Sequence, residues 1–254
     1  MSVQKEDSDV LNRLRNSLGK IEGRLHVLEQ QVAVETQIEY FKNSDMMRRS
    51  PDRATYPTTD EECELTYQML RENEELTRDN KRRLLTLLAL SKNVKAYRML
   101  QEYAEAPDAD VADWTYMALM ECRISLESDL SEEKQIYIST GLGGKGEKLR
   151  FYLLLFARNK IPFQDYQQQT IERELVYTLS QYDCEIERLT MEDLYVEMLF
   201  LMPVLTDLKS VMNQIINECN QYGNFLSNVF TVTNVKQLSR EEIEEILNKK
   251  DENS

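Results

Sequence analysis

The chain has 254 residues, of which 41% are hydrophobic and 30% are charged, and its formal net charge is −14. This length suffices for one large domain or two small domains with a hydrophobic core. The acidic balance argues against sequence-independent binding to phosphate backbones, because such binding depends on clustered lysine and arginine.

The first predicted element, in residues 1–45, is a single amphipathic helix over residues 8–42. Seven apolar residues in it keep an unbroken 3-4-3-4-3-4 spacing: Leu11, Leu14, Leu18, Ile21, Leu25, Leu28 and Val32. A strict repeat of 3.5 residues favours a narrow seam that another helix covers. We therefore predict a coiled-coil-like helix that contacts a protein partner or a second copy of the chain. The alternative is that the helix packs on its own chain.

Residues 46–60 are polar, contain Pro51 and Pro57, and predict a linker. Residues 61–130 are predicted to be helical, and residues 94–125 resemble a HEAT-type helical repeat. The residues that carry this resemblance are Leu100 in a first helix, Pro107 and Asp108 in the turn, and Val111, Ala118 and Leu119 in a second helix. Proline ends the first helix and aspartate can cap the next. The resemblance implies a helical scaffold segment.

Residues 131–254 predict an α/β domain with the element order β-β-α, β-β-α, β, α. The predicted strands cover residues 135–140, 149–157, 184–191, 194–202 and 225–235, and the predicted helices cover residues 163–182, a segment opened by Pro203, and residues 241–248. Duplicated β-β-α units favour a mostly antiparallel sheet with helices on one face. The fold class predicted for the whole chain is therefore α+β.

The glycine-rich segment GLGGKGEK, residues 141–148, lies between two predicted strands. It fails the phosphate-binding Walker pattern, because Glu147 follows Gly146 where Lys is required. A following helix N-terminus, which would hold a phosphate, is also missing. We predict a mobile hairpin tip that reaches a partner through Leu142, Lys145 and Lys148.

The β-β-α order, with the apolar strand YVEMLFLMP running into a helix, resembles ferredoxin-like domains. Some members of that group are nucleases or transposases with paired histidines on a central strand and a tyrosine nucleophile. This stretch has no histidine, so the resemblance does not extend to that chemistry. Other members bind RNA through aromatic residues on the sheet, for which the candidates are Tyr137, Tyr152, Tyr195, Phe200 and Phe230.

Other chemistries have little support in the sequence. Carboxylates cluster around one predicted hairpin at Glu185, Glu187, Glu192, Asp193 and Glu197, where we expect most of them to keep the hairpin soluble. The four cysteines, Cys63, Cys122, Cys184 and Cys219, are far apart, and the chain has one histidine, His26. This pattern favours free buried thiols over a zinc site or a disulfide framework. No cofactor and no metal are predicted.

The sequence as a whole predicts a non-enzymatic interaction protein, acting as a scaffold or adaptor in an intracellular assembly. One alternative is an RNA- or ribosome-associated factor that uses the α/β domain, although the net charge disfavours nucleic acid. A second alternative is an enzyme with an unrecognised carboxylate site. The N-terminal residues show no secretory signal and the apolar stretches are too short to span a membrane, so a cytoplasmic location is expected.

Overall fold

The computed structural model describes residues 24–49, 56–73, 75–130 and 135–249. They form two compact units, the helical unit (residues 24–141) and the sheet unit (residues 142–249). The chain combines helices with a mostly antiparallel sheet, so the predicted α+β class is confirmed. The structure divides the chain after Gly141, whereas the sequence had placed the division after residue 130.

The helical unit combines helices with a short parallel sheet. Its elements are β1 (Arg24–Val27), α1 (Val34–Arg49), α2 (Asp60–Glu72), α3 (Arg78–Leu90), α4 (Val94–Glu105), α5 (Ala112–Leu130) and β2 (Gln135–Ile138). Helix α5 packs against α1, α3 and α4 and buries Trp114, Met117 and Ala118. Capping side chains fix the helix starts, as where Thr59 and Glu62 form a reciprocal capping box at α2.

The predicted single helix over residues 8–42 is wrong within its described part. Residues Leu25 and Val27 lie in β1, which pairs in parallel with β2, and α1 begins only at Val34. Leu28 and Val32 are buried in the core of the helical unit, so they are not open to a partner helix. The physical reason is that the segment RLHV also suits a strand, and the matching strand QIYI lies far along the chain. The remaining seam residues, Leu11, Leu14, Leu18 and Ile21, lie outside the described residues.

The sheet unit is a four-stranded antiparallel sheet, extended by a two-residue strand, with helices on both faces. Its elements are β3 (Gly144–Lys145), β4 (Lys148–Phe156), a 3₁₀ turn (Arg158–Lys160), α6 (Asp165–Gln181), β5 (Glu185–Met191), β6 (Tyr195–Pro203), α7 (Leu208–Asn220), β7 (Thr231–Thr233) and α8 (Arg240–Lys249). The strand order is β7-β4-β6-β5, and β3 pairs with the start of β4. From β4 to β7 the chain follows the β-α-β-β-α-β order of ferredoxin-like folds.

Several elements of this unit match the sequence prediction and two do not. Helices α6 and α8 and strands β5 and β6 lie where the periodicity placed them. The predicted hairpin between residues 135–140 and 149–157 is wrong, because β2 pairs with β1 and not with β4. Pro203 ends β6 rather than opening a helix, and α7 begins at Leu208 with Asp207 as its N-cap.

Alternation along the strands gives the sheet two distinct faces. The pairs Phe151–Phe200 and Leu153–Met198 share one face of the sheet. We call this face the helix side, because the remaining buried side chains of the unit belong to α6 and α7. The opposite face, called here the strand side, carries Tyr152, Leu154, Phe156 and Leu199. Helix α8 covers these residues with Ile243, Ile246 and Leu247.

Candidate functional site

The glycine-rich segment forms a tight turn against the sheet. Strand β3 pairs with β4 through Gly144–Leu149 and Lys145–Lys148, and Gly146 at the turn has a φ of +60°, which favours glycine. The Leu142 side chain is only 2% exposed and packs in the core beneath α8. It therefore offers no surface to a partner, which contradicts its predicted role.

Both predicted lysines of this segment already have carboxylate partners. Lys148 Nζ donates to Asp183 at 3.0 Å and to Glu185 at 2.8 Å, and Lys145 Nζ lies 3.3 Å from Glu185. These contacts lower the pKa of Glu185, with the Lys148 hydrogen bond as the largest cause. Lys145 remains mostly exposed, whereas the Lys148 side chain is only 16% exposed.

Two arginines extend this row of ion pairs across the strand side. Arg150 forms a bidentate pair with Glu187, at 2.6 and 2.8 Å, and also donates to the Leu142 carbonyl. Arg188 donates to Glu197 at 2.5 Å and to the Gln237 side chain at 2.8 Å. We use the name ion-pair row for four cations and their carboxylate partners. The cations are Lys145, Lys148, Arg150 and Arg188. Because each cation has a carboxylate partner, the row has little free positive charge for a phosphate.

The carboxylates of the predicted β5–β6 hairpin do not form an acid–base site. Glu185, Glu187 and Glu197 each serve as the acceptor for a cation of the ion-pair row. A general acid would require a carboxyl group with a raised pKa. In the described part of the sheet unit, the carboxyl groups whose pKa is clearly shifted, including that of Glu185, are all shifted downward.

The helix side of the sheet unit presents an exposed group of aromatic residues around one arginine. Tyr166, Tyr177 and Tyr222 are 51%, 62% and 56% exposed. The Arg173 guanidinium lies over the Tyr222 ring at 5.8 Å, and its polar contact is a long one of 3.5 Å to the adjacent Glu174. We call these four residues the tyrosine–arginine surface.

The geometry of α6 and the end of α7 makes this surface continuous. On α6, Tyr166, Arg173 and Tyr177 are spaced by seven and four residues and therefore share one helix face. Tyr222 comes from the turn after α7, and a side chain at the adjacent Gly223 would lie 3.9 Å from the Tyr166 hydroxyl. Sequence reasoning missed this surface, although the spacing within α6 was a usable signal. The contribution of Tyr222 depends on how α6 and α7 pack.

The predicted aromatic candidates are divided between different places. Phe200 is fully buried on the helix side, and Tyr152 and Tyr195 lie on the strand side near α8. Tyr137 belongs to the helical unit, where its ring stacks on His26 at 4.5 Å. Its hydroxyl donates to Glu127, which also accepts from Arg123 at 2.8 Å. This cluster attaches the small parallel sheet to α5.

A second polar cluster of the helical unit is built around one buried carboxylate. The Glu121 carboxylate, on α5, accepts hydrogen bonds of 2.6 Å from each of Tyr40, Ser44 and Arg48, all on α1. Burial and the Glu121 charge raise the pKa of Tyr40 well above its usual range. These three hydrogen bonds hold α1 against α5.

The cysteines are free, and Cys63, Cys122 and Cys219 are buried as predicted. Burial raises the pKa of Cys122 and Cys219 to about 12 and that of Cys184 to about 11, so these thiols are unreactive near neutral pH. Within the described ranges, no group of three or more His, Cys, Asp or Glu side chains is placed to hold a metal ion.

No protein-family model matches the sequence, and a search of curated proteins found no match. Among solved structures, the chain is similar to a protein named as a candidate transposase from Deinococcus radiodurans R1, with 15% identity and a TM-score of 0.36, over 40% of this chain and 90% of that one. It is also similar to a REP-associated tyrosine transposase bound to a REP hairpin, with 13% identity and a TM-score of 0.32, over 46% of this chain and 68% of that one.

These comparisons contradict the predicted function. The proteins that they name are transposases and not scaffold or adaptor proteins, so the prediction of a non-enzymatic scaffold or adaptor protein, with the keywords that follow from it, is withdrawn. Alignments with TM-scores below 0.5 assign neither an activity nor a ligand to this chain. In the part of the chain that the structure describes, no helix has the length and apolarity required to cross a membrane.

Proposed function

We propose that the chain is a nucleic-acid-binding protein and that its sheet unit binds single-stranded nucleic acid on the tyrosine–arginine surface. The observation that supports this is the exposure of three tyrosine rings around one arginine. Bases of a single strand stack on such rings, and an arginine adds a cation–π or phosphate contact. A single strand is favoured over a duplex, since the bases of a duplex are already stacked on one another.

The acidic charge of the chain is compatible with this mode of binding. Stacking contributes about 1–3 kcal/mol per base and does not require a broad basic surface. The ion-pair row, by contrast, lacks free cations, because Lys148, Arg150 and Arg188 are all paired with carboxylates. A nucleic-acid ligand also fits the predicted cytoplasmic location.

The test is fluorescence anisotropy with labelled oligonucleotides: single-stranded DNA, single-stranded RNA and a duplex. Wild-type chain should bind the single strands more tightly than the duplex, and the Tyr166→Ala/Tyr222→Ala variant should lose tenfold or more in affinity. Comparing the affinities for single-stranded DNA and single-stranded RNA shows whether the protein prefers deoxyribose or ribose.

Two matched controls define the role of the rings. Tyr222→Phe keeps the ring and should keep the affinity, which separates stacking from a hydroxyl contact. Leu205→Ala removes an equally exposed apolar side chain, 58% exposed, next to the other end of α7 and should have no effect. Equal affinity of the wild-type chain and the double tyrosine variant would refute the proposal.

A further inference from the structure

The Tyr222 ring of the tyrosine–arginine surface is carried by a short loop that follows α7. The loop runs from Asn220, the last residue of α7, to Leu226, which forms an antiparallel bridge with Ala157. Tyr222 is 56% exposed, whereas Phe225 and Leu226 are buried. The loop therefore combines a buried base with an exposed ring, and the position of that ring depends on the conformation of the loop.

The backbone of this loop reverses its direction at two residues in the left-handed region. Gly223 has a φ of +144° and Asn224 a φ of +52°. Side chains rarely adopt such values, but glycine does so at no steric cost and asparagine is among the residues that tolerate them. Glycine also populates other regions readily, so the backbone permits the reversal without fixing it.

The Asn220 side chain closes the loop. Its Oδ1 accepts a hydrogen bond of 2.9 Å from the Leu226 amide, and its Nδ2 donates to the Leu226 carbonyl at 3.1 Å. One side-chain amide thus binds both backbone polar groups of a residue six positions later. The Asn220 carbonyl also accepts from the amides of Gly223 at 3.3 Å and Asn224 at 3.0 Å. Asn220 is therefore the residue on which the hydrogen bonds of the loop converge.

The base of the loop has further contacts that do not involve Asn220. The Arg158 amide donates to the Phe225 carbonyl at 2.8 Å, and Arg158 Nε donates to the Leu226 carbonyl at 3.1 Å. The Phe225 ring packs edge-on against Phe163, with the ring centres 6.3 Å apart. Because these contacts anchor the base, we expect removal of the Asn220 amide to loosen the loop around Tyr222 without detaching it from the sheet unit.

We propose that Asn220 is a positioning residue of the tyrosine–arginine surface, and that it holds the Tyr222 ring beside Tyr166 and Arg173 before a single-stranded nucleic acid binds. A ring that is already held in place loses little conformational freedom when a base stacks on it, so this preorganisation raises the affinity. Asn220 acts through Tyr222 and does not itself contact the bases. The ligand rests on the proposed function, whereas the placement of Tyr222 is a property of the ligand-free chain.

The first test measures the binding of a labelled single-stranded oligonucleotide to the full chain by fluorescence anisotropy. Asn220→Ala removes the amide that closes the loop and should weaken binding about fivefold. In a Tyr222→Ala background the same substitution should have no further effect, because the ring that it positions is absent. In a Tyr166→Ala background the fivefold loss should remain. A general loss of stability would instead weaken binding in both backgrounds.

The second test needs no nucleic acid and uses fluorine NMR of the chain labelled with 3-fluorotyrosine. Asn220→Ala should move the Tyr222 signal towards its position in the unfolded chain. Asn213→Ala removes an exposed asparagine two turns earlier on α7, and this matched control should leave both the signal and the affinity as in wild type.

The two tests separate this inference from the proposed function. An unmoved Tyr222 signal in Asn220→Ala would overturn the inference, and so would an equal loss of affinity in the Tyr222→Ala and Tyr166→Ala backgrounds. If the signal moves but the wild-type chain binds no oligonucleotide, Asn220 positions the ring and the proposed function fails.

Discussion

The two faces of the sheet unit carry the same kinds of side chains in opposite states. On the helix side, Tyr166, Tyr222 and Arg173 are exposed and make few polar contacts. On the strand side, the tyrosines lie beneath α8 and the cations are paired with carboxylates. The difference shows that residue type alone does not identify a binding site; a ligand requires groups that the fold has left without partners.

The largest effect expected from this comparison is on stability. Arg150 is 14% exposed and forms a bidentate pair with Glu187, so Arg150→Met leaves that carboxylate and the Leu142 carbonyl without their donor. We expect a loss of about 2 kcal/mol in the free energy of unfolding, measured by urea denaturation. Lys145→Met, at a position that is 65% exposed, is the control and should change little. If Arg150→Met is as stable as wild type but binds oligonucleotides less tightly, the strand side would be the binding surface, which contradicts the roles that we assign to the two faces.

A second prediction compares one tyrosine from each face. Tyr177→Ala removes an exposed ring from the helix side and should reduce the affinity for a single-stranded oligonucleotide about fivefold, measured by anisotropy. Tyr195→Ala, made in the wild-type background, alters a ring next to α8 and should leave the affinity unchanged. The opposite ranking of the two variants would place the binding site on the strand side.

The salt dependence of binding should be shallow. If Arg173 is the one cation that contacts a phosphate, the affinity for a single strand should fall only about threefold between 50 and 200 mM salt, since the slope is about −0.7 per phosphate contact. Anisotropy titrations at several salt concentrations measure the slope. A fall of a hundredfold would mean that several lysines and arginines contribute, which a stacking surface does not predict.

The smallest effect concerns the pH dependence of stability. Hydrogen bonds from Lys148 and Lys145 lower the pKa of Glu185 in the folded chain. The stability that this carboxylate contributes is therefore present above its unfolded pKa, about 4.3, and is lost as the pH falls through the lower folded value. Glu185→Gln should flatten the decline of stability below about pH 4.5, measured by thermal unfolding. Glu192→Gln, an exposed carboxylate of the adjacent turn, should leave that decline as in wild type.

Local patterns in the sequence predicted the elements whose partners are close in the chain. Strands β5 and β6 and helix α6 follow from alternation and helical spacing over residues 163–203. The segment around Leu25 was predicted wrongly because its strand partner is more than 100 residues away. The four-residue strand also contains only one residue of the heptad repeat, Leu25, which is too few to distinguish a helix from a strand.

The functional surfaces depend on contacts that no local pattern reveals. Lys145 and Lys148 resembled a free basic tip, but Glu185, about 40 residues later, pairs with both. Tyr166, Arg173 and Tyr177 could have been placed on one helix face from their spacing. Their exposure, and the position of Tyr222 beside them, follow only from the packing of α6 and α7 on the sheet.

The most direct test of the central claim is fluorine NMR of the chain labelled with 3-fluorotyrosine, titrated with a single-stranded oligonucleotide. Tyrosine-to-phenylalanine variants assign the signals. The signals of Tyr166 and Tyr222 should shift together and saturate, while those of Tyr40 and Tyr103, buried in the helical unit, should stay in place. Binding that leaves the Tyr166 and Tyr222 signals unmoved would contradict the account.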